Sequence, residues 1–145
     1  MIKSVTTDEV GQFSELAKEF SRLAGRKSFD PKAFVDSWTS ILSNNLGHIY
    51  GRFIDGVPVE TIGVLTYVDP FEGIPVASVA FWHLQSESNG LEGGYLFKEM
   101  IEDLDKRGIK RLFFSALLNE RFTKVTGFLK AAGFMPVELQ FMKEF

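Results

Sequence analysis

Apolar side chains recur along this chain at two spacings, and the alternation between them predicts its elements. Ile2 to Val5 reads as a short strand. Val10, Phe13, Leu16, Ala17, Phe20 and Leu23 then fall on one helical face, with Thr7 or Asp8 able to cap the helix and Gly25 to end it. Asp30-Pro31 predicts a second helix start, because aspartate caps and proline suits the first helical position. Phe34, Trp38, Ile41 and Leu42 give that helix its apolar face, and Asn44-Asn45 stop it. His48 to Ile54 and Ile62 to Val68 read as strands joined through an Asp55-Gly56 hairpin turn. Residues 69–75 read as a loop and Val76 to Leu84 as a further apolar strand.

A glycine-rich segment, Ser88 to Gly94, comes next and opens a helix whose apolar face is Leu96, Phe97, Met100, Ile101 and Leu104. Lys98, Glu99, Glu102, Asp103 and Lys106 fill the opposite face, and Arg107-Gly108 end it. Leu112 to Leu117 reads as a buried strand. Phe122, Val125, Phe128, Leu129 and Ala132 line a last helix, and Val137, Leu139 and Phe141 alternate as a closing strand. The expected order is β-α-α-β-β-β-α-β-α-β. That is an α+β (three-layer α/β) domain over residues 1–145, with a mixed, mostly antiparallel central sheet flanked by helices.

Composition narrows the function classes. At 145 residues the chain can bury a core as one domain, and 15 phenylalanines imply a bulky core or a partly apolar cleft. A net charge of −3 argues against nucleic acid as the main partner. With no cysteine there is no disulfide, thiolate nucleophile or thiolate metal site. No apolar run approaches the ~20 residues needed to span a bilayer, and the N-terminal segment lacks the apolar core of a signal peptide. A cytoplasmic location away from membranes is therefore expected. His48 and His83 have no ligand-like spacing, so no metal is expected. Ser78 and Ser115 have no recognisable histidine partner for hydrolase chemistry.

Glycines before a helix leave its first N–H groups facing outward, where the helix dipole favours an anion, so a phosphate-bearing ligand comes first to mind. The element order, the glycine segment and the terminal Ala132-Gly133-Phe134 together resemble the GNAT superfamily of acetyl-CoA-dependent N-acetyltransferases. The order spans nearly the whole chain, and the motif-level resemblance spans about residues 79 to 134. The family's pyrophosphate loop, R/Q-x-x-G-x-G/A, falls on Ser88-Asn89-Gly90-Leu91-Glu92-Gly93, where only the last position matches. Ser88 replaces Arg or Gln, Leu91 replaces the first glycine, and Glu92 brings a negative charge near a polyanion; Gly90 and Gly94 offer a shifted loop. The resemblance implies acetyl-CoA contacts at Leu84, Ser88, Asn89, Gly90, Leu91, Gly93, Gly94, Tyr95, Asn119 and Phe128.

The family's usual proton-transfer side chains are missing. The tyrosine position holds Leu129, with Phe128 beside it, and the strand position of the usual glutamate holds Ala77. The family's asparagine fits Asn119 only if the last helix is about a turn longer. His83 is the substitute base: by period two it shares a strand face with Ala77, Val79 and Phe81, and its ordinary pKa is near neutral. A strand-end histidine bonded to a carbonyl is the plainer alternative and carries more weight. Glu60, Tyr67 and Glu87 are weaker candidates, read first as solvated or cross-strand polar residues. Tyr95 is open between a phosphate contact and a cap on the core. Arg107, Lys110 and Arg111, with Arg121, Lys124 and Lys130, read first as solvated faces and second as partners for a CoA phosphate.

Two functions follow from the resemblance. One is transfer of an acetyl group from acetyl-CoA to an amine acceptor by direct attack, the amine entering near Arg26 to Phe29. The other is a non-catalytic GNAT-like binding or structural module, akin to phage-encoded relatives of the fold, that has lost its proton-transfer residues. Exposed phenylalanines such as Phe71 or Phe145 offer a surface for a homodimer.

Overall fold

The computed structural model describes residues 1–84 and 90–145, with the backbone alone for Leu84 and residues 90–93. It forms two compact units, Met1–Phe114 and Ser115–Phe145. Among the described residues, no helix is long and apolar enough to cross a membrane.

The first unit begins with strand β1 (Ile2–Ser4) and a 3-10 turn, Thr7–Phe13, leading into helix α1 (Ser14–Leu23). The cap is Thr6, one residue before the sequence expectation: the Glu9 carboxylate accepts from the Thr6 N–H at 3.1 Å and from its hydroxyl at 2.9 Å. Helix α2 (Pro31–Ser43) starts as its sequence predicts, with the Ala33 N–H donating to the Asp30 carboxylate at 3.1 Å. Strands β2 (Gly47–Ile54) and β3 (Val57–Val68) make the expected hairpin. Both turn residues have positive φ, 51° at Asp55 and 77° at Gly56, as a tight two-residue turn requires.

Strand β4 (Pro75–Leu84), helix α3 (Gly90–Lys106) and strand β5 (Arg111–Phe113) complete the unit. Among the described residues the strands form one five-stranded sheet in the order β1-β2-β3-β4-β5. The first three pairings are antiparallel and β4–β5 is parallel.

Adjacent residues of a strand point to opposite faces, so the register assigns each face its layer. Ile49, Gly63 and Phe81 lie side by side across β2, β3 and β4, and they face the 3-10 turn, α1 and α2. Val10, Phe13, Leu16 and Trp38 join Ile49, Phe53 and Phe81 in the core there. Tyr50, Ile62 and Trp82 occupy the opposite face, where Tyr50 reaches α3. The buried side of α3 is Leu96, Phe97, Met100 and Leu104, four of the residues its helical period marks.

The second unit holds helix α4 (Phe122–Ala131), closed by Gly133 at φ 94° with the Phe134 N–H donating to the Leu129 carbonyl at 2.9 Å. Leu129 is buried, whereas Phe122 and Phe128 are more than a third exposed, so the expected apolar lining of this helix is only partly realised. The expected closing strand is absent: residues 135–145 are irregular, and Val137, Leu139 and Phe141 are exposed. Alternation makes a strand only where one face meets a core, and here neither face does.

Candidate functional site

The second half of β4 differs from the first on both of its edges. Along β3 the pairing runs Leu65 with Ser78, Val64 with Val79, then Gly63 with Phe81, so Ala80 is an extra residue in a β-bulge. Along β5 the ladder stops at Ser78 with Phe113. Beyond that point the β5-facing edge of residues 79–84 carries backbone N–H and C=O groups with no strand partner among the described residues. The expected strand Leu112 to Leu117 is thus cut to Arg111–Phe113, where the ladder with β4 ends.

Phe81 fixes this half-strand against the helices. Its ring meets Trp38 at 5.1 Å, Phe34 at 5.8 Å and Phe20 at 6.4 Å between centroids. It also packs against Gly63, where any Cβ would run into the ring. Glycine at position 63 is what lets a phenylalanine sit there.

The bulge corrects the face assigned to His83. Val64 and Gly63 are consecutive on β3, so their partners Val79 and Phe81 point to opposite faces. His83 and Phe81 face α1 and α2, and Ala77 and Val79 face the α3 side. His83 is buried, paired in register with Thr61, and close enough to Glu19 of α1 to lower that carboxyl's pKa. Ala77 is completely buried. The Thr61 hydroxyl, also completely buried, has no hydrogen-bond partner among the described residues.

Helix α3 starts at Gly90, so Gly90, Leu91, Gly93 and Gly94 form its first turns and not a preceding loop. Their N–H groups include those a helix start leaves without an internal acceptor. Gly94 has open space where a Cβ would stand, and Tyr95 is 63% exposed, so Tyr95 does not cap the core. Ser88, Asn89 and Glu87 lie outside the described residues. Leu84 is the last residue of β4.

Two polar clusters that the sequence did not signal lie on the α3 face. Arg52 Nε donates to Glu60 Oε2 at 3.0 Å, with the side chains 8% and 0% exposed. A simple two-residue hairpin would set Arg52 opposite Val59; a bulge at Val59 moves it opposite Glu60. Glu60 is thus the cross-strand residue expected, in a buried form. The second cluster joins Tyr50, whose hydroxyl donates to Asp103 Oδ2 at 2.6 Å, and Arg107, whose Nε donates to the same oxygen at 2.7 Å. Burial, reinforced by the carboxylate, pushes the Tyr50 phenol far above its usual range. Burial pushes Asp103 up, but the hydrogen bonds from Tyr50 and Arg107 outweigh it and hold the carboxyl low. Burial and then Arg107 lower the pKa of His48, whose ring lies 6.4 Å from that of Tyr50. Arg107 is therefore engaged in the fold, as is Arg111, which bonds Asp69 at 3.0 Å and Glu72 at 2.8 Å.

A groove of about 360 Å3 runs beside the α1–α2 connection, lined by Glu15, Lys18, Glu19, Ser21, Arg22 and residues 26–29. This is the region where the acceptor was expected to enter. In the second unit, the Asn119 side chain accepts from the Arg121 N–H at 2.9 Å and so turns the chain into α4. Phe128 is exposed beside the buried Leu129.

No protein-family model matches this sequence, and no curated protein matches it. Solved structures do. A ribosomal-protein-alanine N-acetyltransferase from Brucella melitensis biovar Abortus 2308 superposes with a TM-score of 0.76 at 12% identity, covering 100% of this chain and 99% of that one. A predicted acetyltransferase with acetyl-CoA from Clostridium acetobutylicum gives 0.79 at 13% identity, covering 99% and 95%. An aminoglycoside N-acetyltransferase in complex with CoA gives 0.79 at 13% identity, covering 100% and 93%. Sheet order, the layers on both faces and these superpositions agree: this chain has the fold of the GNAT acetyltransferase superfamily.

Proposed function

We propose that the chain is an acetyl-CoA-dependent N-acetyltransferase. The observation that carries this reading is the unpaired edge of β4 over residues 79–84, next in sequence to the start of α3. An extended ligand bearing amides can add to such an edge as a further strand would, and a diphosphate suits the N–H groups of the helix start. Leu84, Gly90, Leu91, Gly93 and Gly94 are the described residues at that junction, with Tyr95 exposed beside it.

Acetyl-CoA supplies a thioester: the amine nitrogen bonds to the acetyl carbon, the C–S bond breaks, the amine gives up one proton and CoA leaves as the thiol. The chain's part is to orient the reactants along the β4 edge and to take that proton. His83, at the end of the strand and on the helix face, is the proton acceptor in this reading. Without the family's glutamate and tyrosine the reaction loses general acid–base help typically worth ~10²–10⁴-fold, which slows it without removing the binding contribution.

A second reading keeps the fold without the chemistry. It is favoured by Ala77, which is completely buried and cannot titrate, and by Leu129, an apolar side chain buried where the family's tyrosine would stand. Calorimetric titration of acetyl-CoA separates the two. Binding near micromolar, about −8 kcal/mol, is expected for the enzyme, with affinity lost in Gly93→Asp. No heat and no thermal shift would overturn it. If binding holds, His83→Ala should flatten the rise of rate with pH; a profile that overlays the parent removes His83 from the reaction.

A further inference from the structure

We propose that the acceptor is an amine that also carries carboxylate groups, as an acidic amino acid or the N-terminus of a short acidic peptide does. The inference rests on the acetyltransferase reading and names the substrate class of that site. It follows from the charges around the α1–α2 groove and from what those charges already bind.

Of the groove's charged side chains, Glu19 and Arg22 are spent on each other: Arg22 donates to both carboxylate oxygens, from Nε at 3.0 Å. Lys18, Arg26 and Lys27 make no ion pair among the described residues, and neither does Glu15. Three exposed cations therefore stand against one free acid around a single depression, in a chain whose overall charge is −3. The positive field is local, which marks it out from the general charge of the surface.

The groove is also connected to the reacting end of β4. Its apolar wall is Phe29, whose ring lies 5.8 Å from Phe34, and the Phe34 ring lies 5.8 Å from Phe81. Its polar wall is Glu19, which the Arg22 hydrogen bond and, more weakly, His83 hold below the usual carboxylate range. An amine directed past Glu19 toward His83 would leave the rest of its molecule among Lys18, Arg26 and Lys27. A polyamine or a polycationic sugar would meet like charges there, and a carboxylate would meet the guanidinium and ammonium donors.

The test uses the whole chain and three probes in calorimetric titration: the tripeptide Ser-Asp-Glu, free glutamate and spermidine. Ser-Asp-Glu should bind at least about tenfold more tightly than spermidine, a difference of about 1.4 kcal/mol, and lose affinity in high salt. Free glutamate matching the tripeptide assigns an amino acid acceptor; the tripeptide alone binding assigns a peptide N-terminus. Lys18→Glu/Arg26→Glu/Lys27→Glu, with all three positions exposed, should fold and reverse the order of Ser-Asp-Glu and spermidine. Spermidine binding as well as the tripeptide, an order unchanged by the reversal, or no binding by any probe overturns the inference. Acetyl-CoA titrated into the same protein separates the two claims. Acetyl-CoA binding with a spermidine preference overturns the acceptor class alone. A tripeptide preference without acetyl-CoA binding overturns the acetyltransferase reading and supports the groove's anion preference.

Discussion

The two faces of the sheet are held by different physics. Toward α1 and α2 the contacts are rings on rings: Phe81 among Phe20, Phe34 and Trp38, and Phe13 edge-on to Phe53 at 5.5 Å. Toward α3 they include a buried ion pair, Arg52–Glu60, and the Tyr50–Asp103–Arg107 bonds. Apolar packing is strong but non-directional, so it tolerates small slides of a helix. Hydrogen bonds are directional, and the part-buried bond from Tyr50 to Asp103 ties α3 to the sheet at one point. The helix tied in this way is the one that begins at Gly90. The helices on the ring-packed side carry the groove beside the α1–α2 connection.

Substitutions on the two faces test this contrast. Arg52→Met should cost the most, about 3–5 kcal/mol in urea unfolding, because it removes the cation bonded to a completely buried carboxylate. Arg52→Met/Glu60→Leu should recover most of that loss, and a double variant no better than the single would deny the coupling. On the ring side, Gly63→Ala should cost about 1–3 kcal/mol, since the Phe81 ring is boxed in by three others and cannot retreat. Tyr50→Phe should lose about 1–2 kcal/mol, the range for a hydrogen bond to a carboxylate that keeps Arg107 as a second donor.

Acidification should also act on the α3 face. The folded state lowers the pKa of His48 below 6.5, so its stabilising effect is present above that pH. As pH falls below 6.5 the unfolded chain takes up the proton first and stability declines; His48→Gln should flatten that decline between pH 6.5 and 5. The smallest effect is expected at Thr61, whose buried hydroxyl lacks a partner among the described residues. Thr61→Val should leave stability unchanged or raise it by up to about 1 kcal/mol, and a clear loss would show that the hydroxyl has a bond to give.

Much of this architecture was legible in the sequence where a local rule decides it. Asp30-Pro31 starts α2, Asp55-Gly56 turns the hairpin, and the period of Leu96, Phe97, Met100 and Leu104 sets the buried side of α3. What escaped was set by neighbours. Bulges at Val59 and Ala80 shift partners by one residue, which hid the Arg52–Glu60 pair and turned His83 to the other face. Neither leaves a composition signal, because the extra residues are an ordinary valine and alanine. Val137, Leu139 and Phe141 alternate as a strand should, yet are exposed and form no strand. Asp103 and Arg107 read as an ordinary charged helix face, and only the fold brings Tyr50 beneath them. Among the candidate site residues, Gly90, Leu91, Gly93 and Gly94 stand at a helix start, but inside its first turns.

The extra residue at Ala80 makes β4 a strand of two phases. Residues before it and after it obey the same in-and-out alternation, offset by one step, much as a message changes meaning after a single inserted letter. Deleting Ala80 would remove the bulge and leave Val79 beside Phe81, still on opposite faces, so Phe81 and His83 would keep their present partners across the ladder. At this point in the chain, length carries information that side-chain identity does not. Counting by twos from Ala77 therefore assigns every residue after Ala80 to the wrong face, and only the register with β3 restores it.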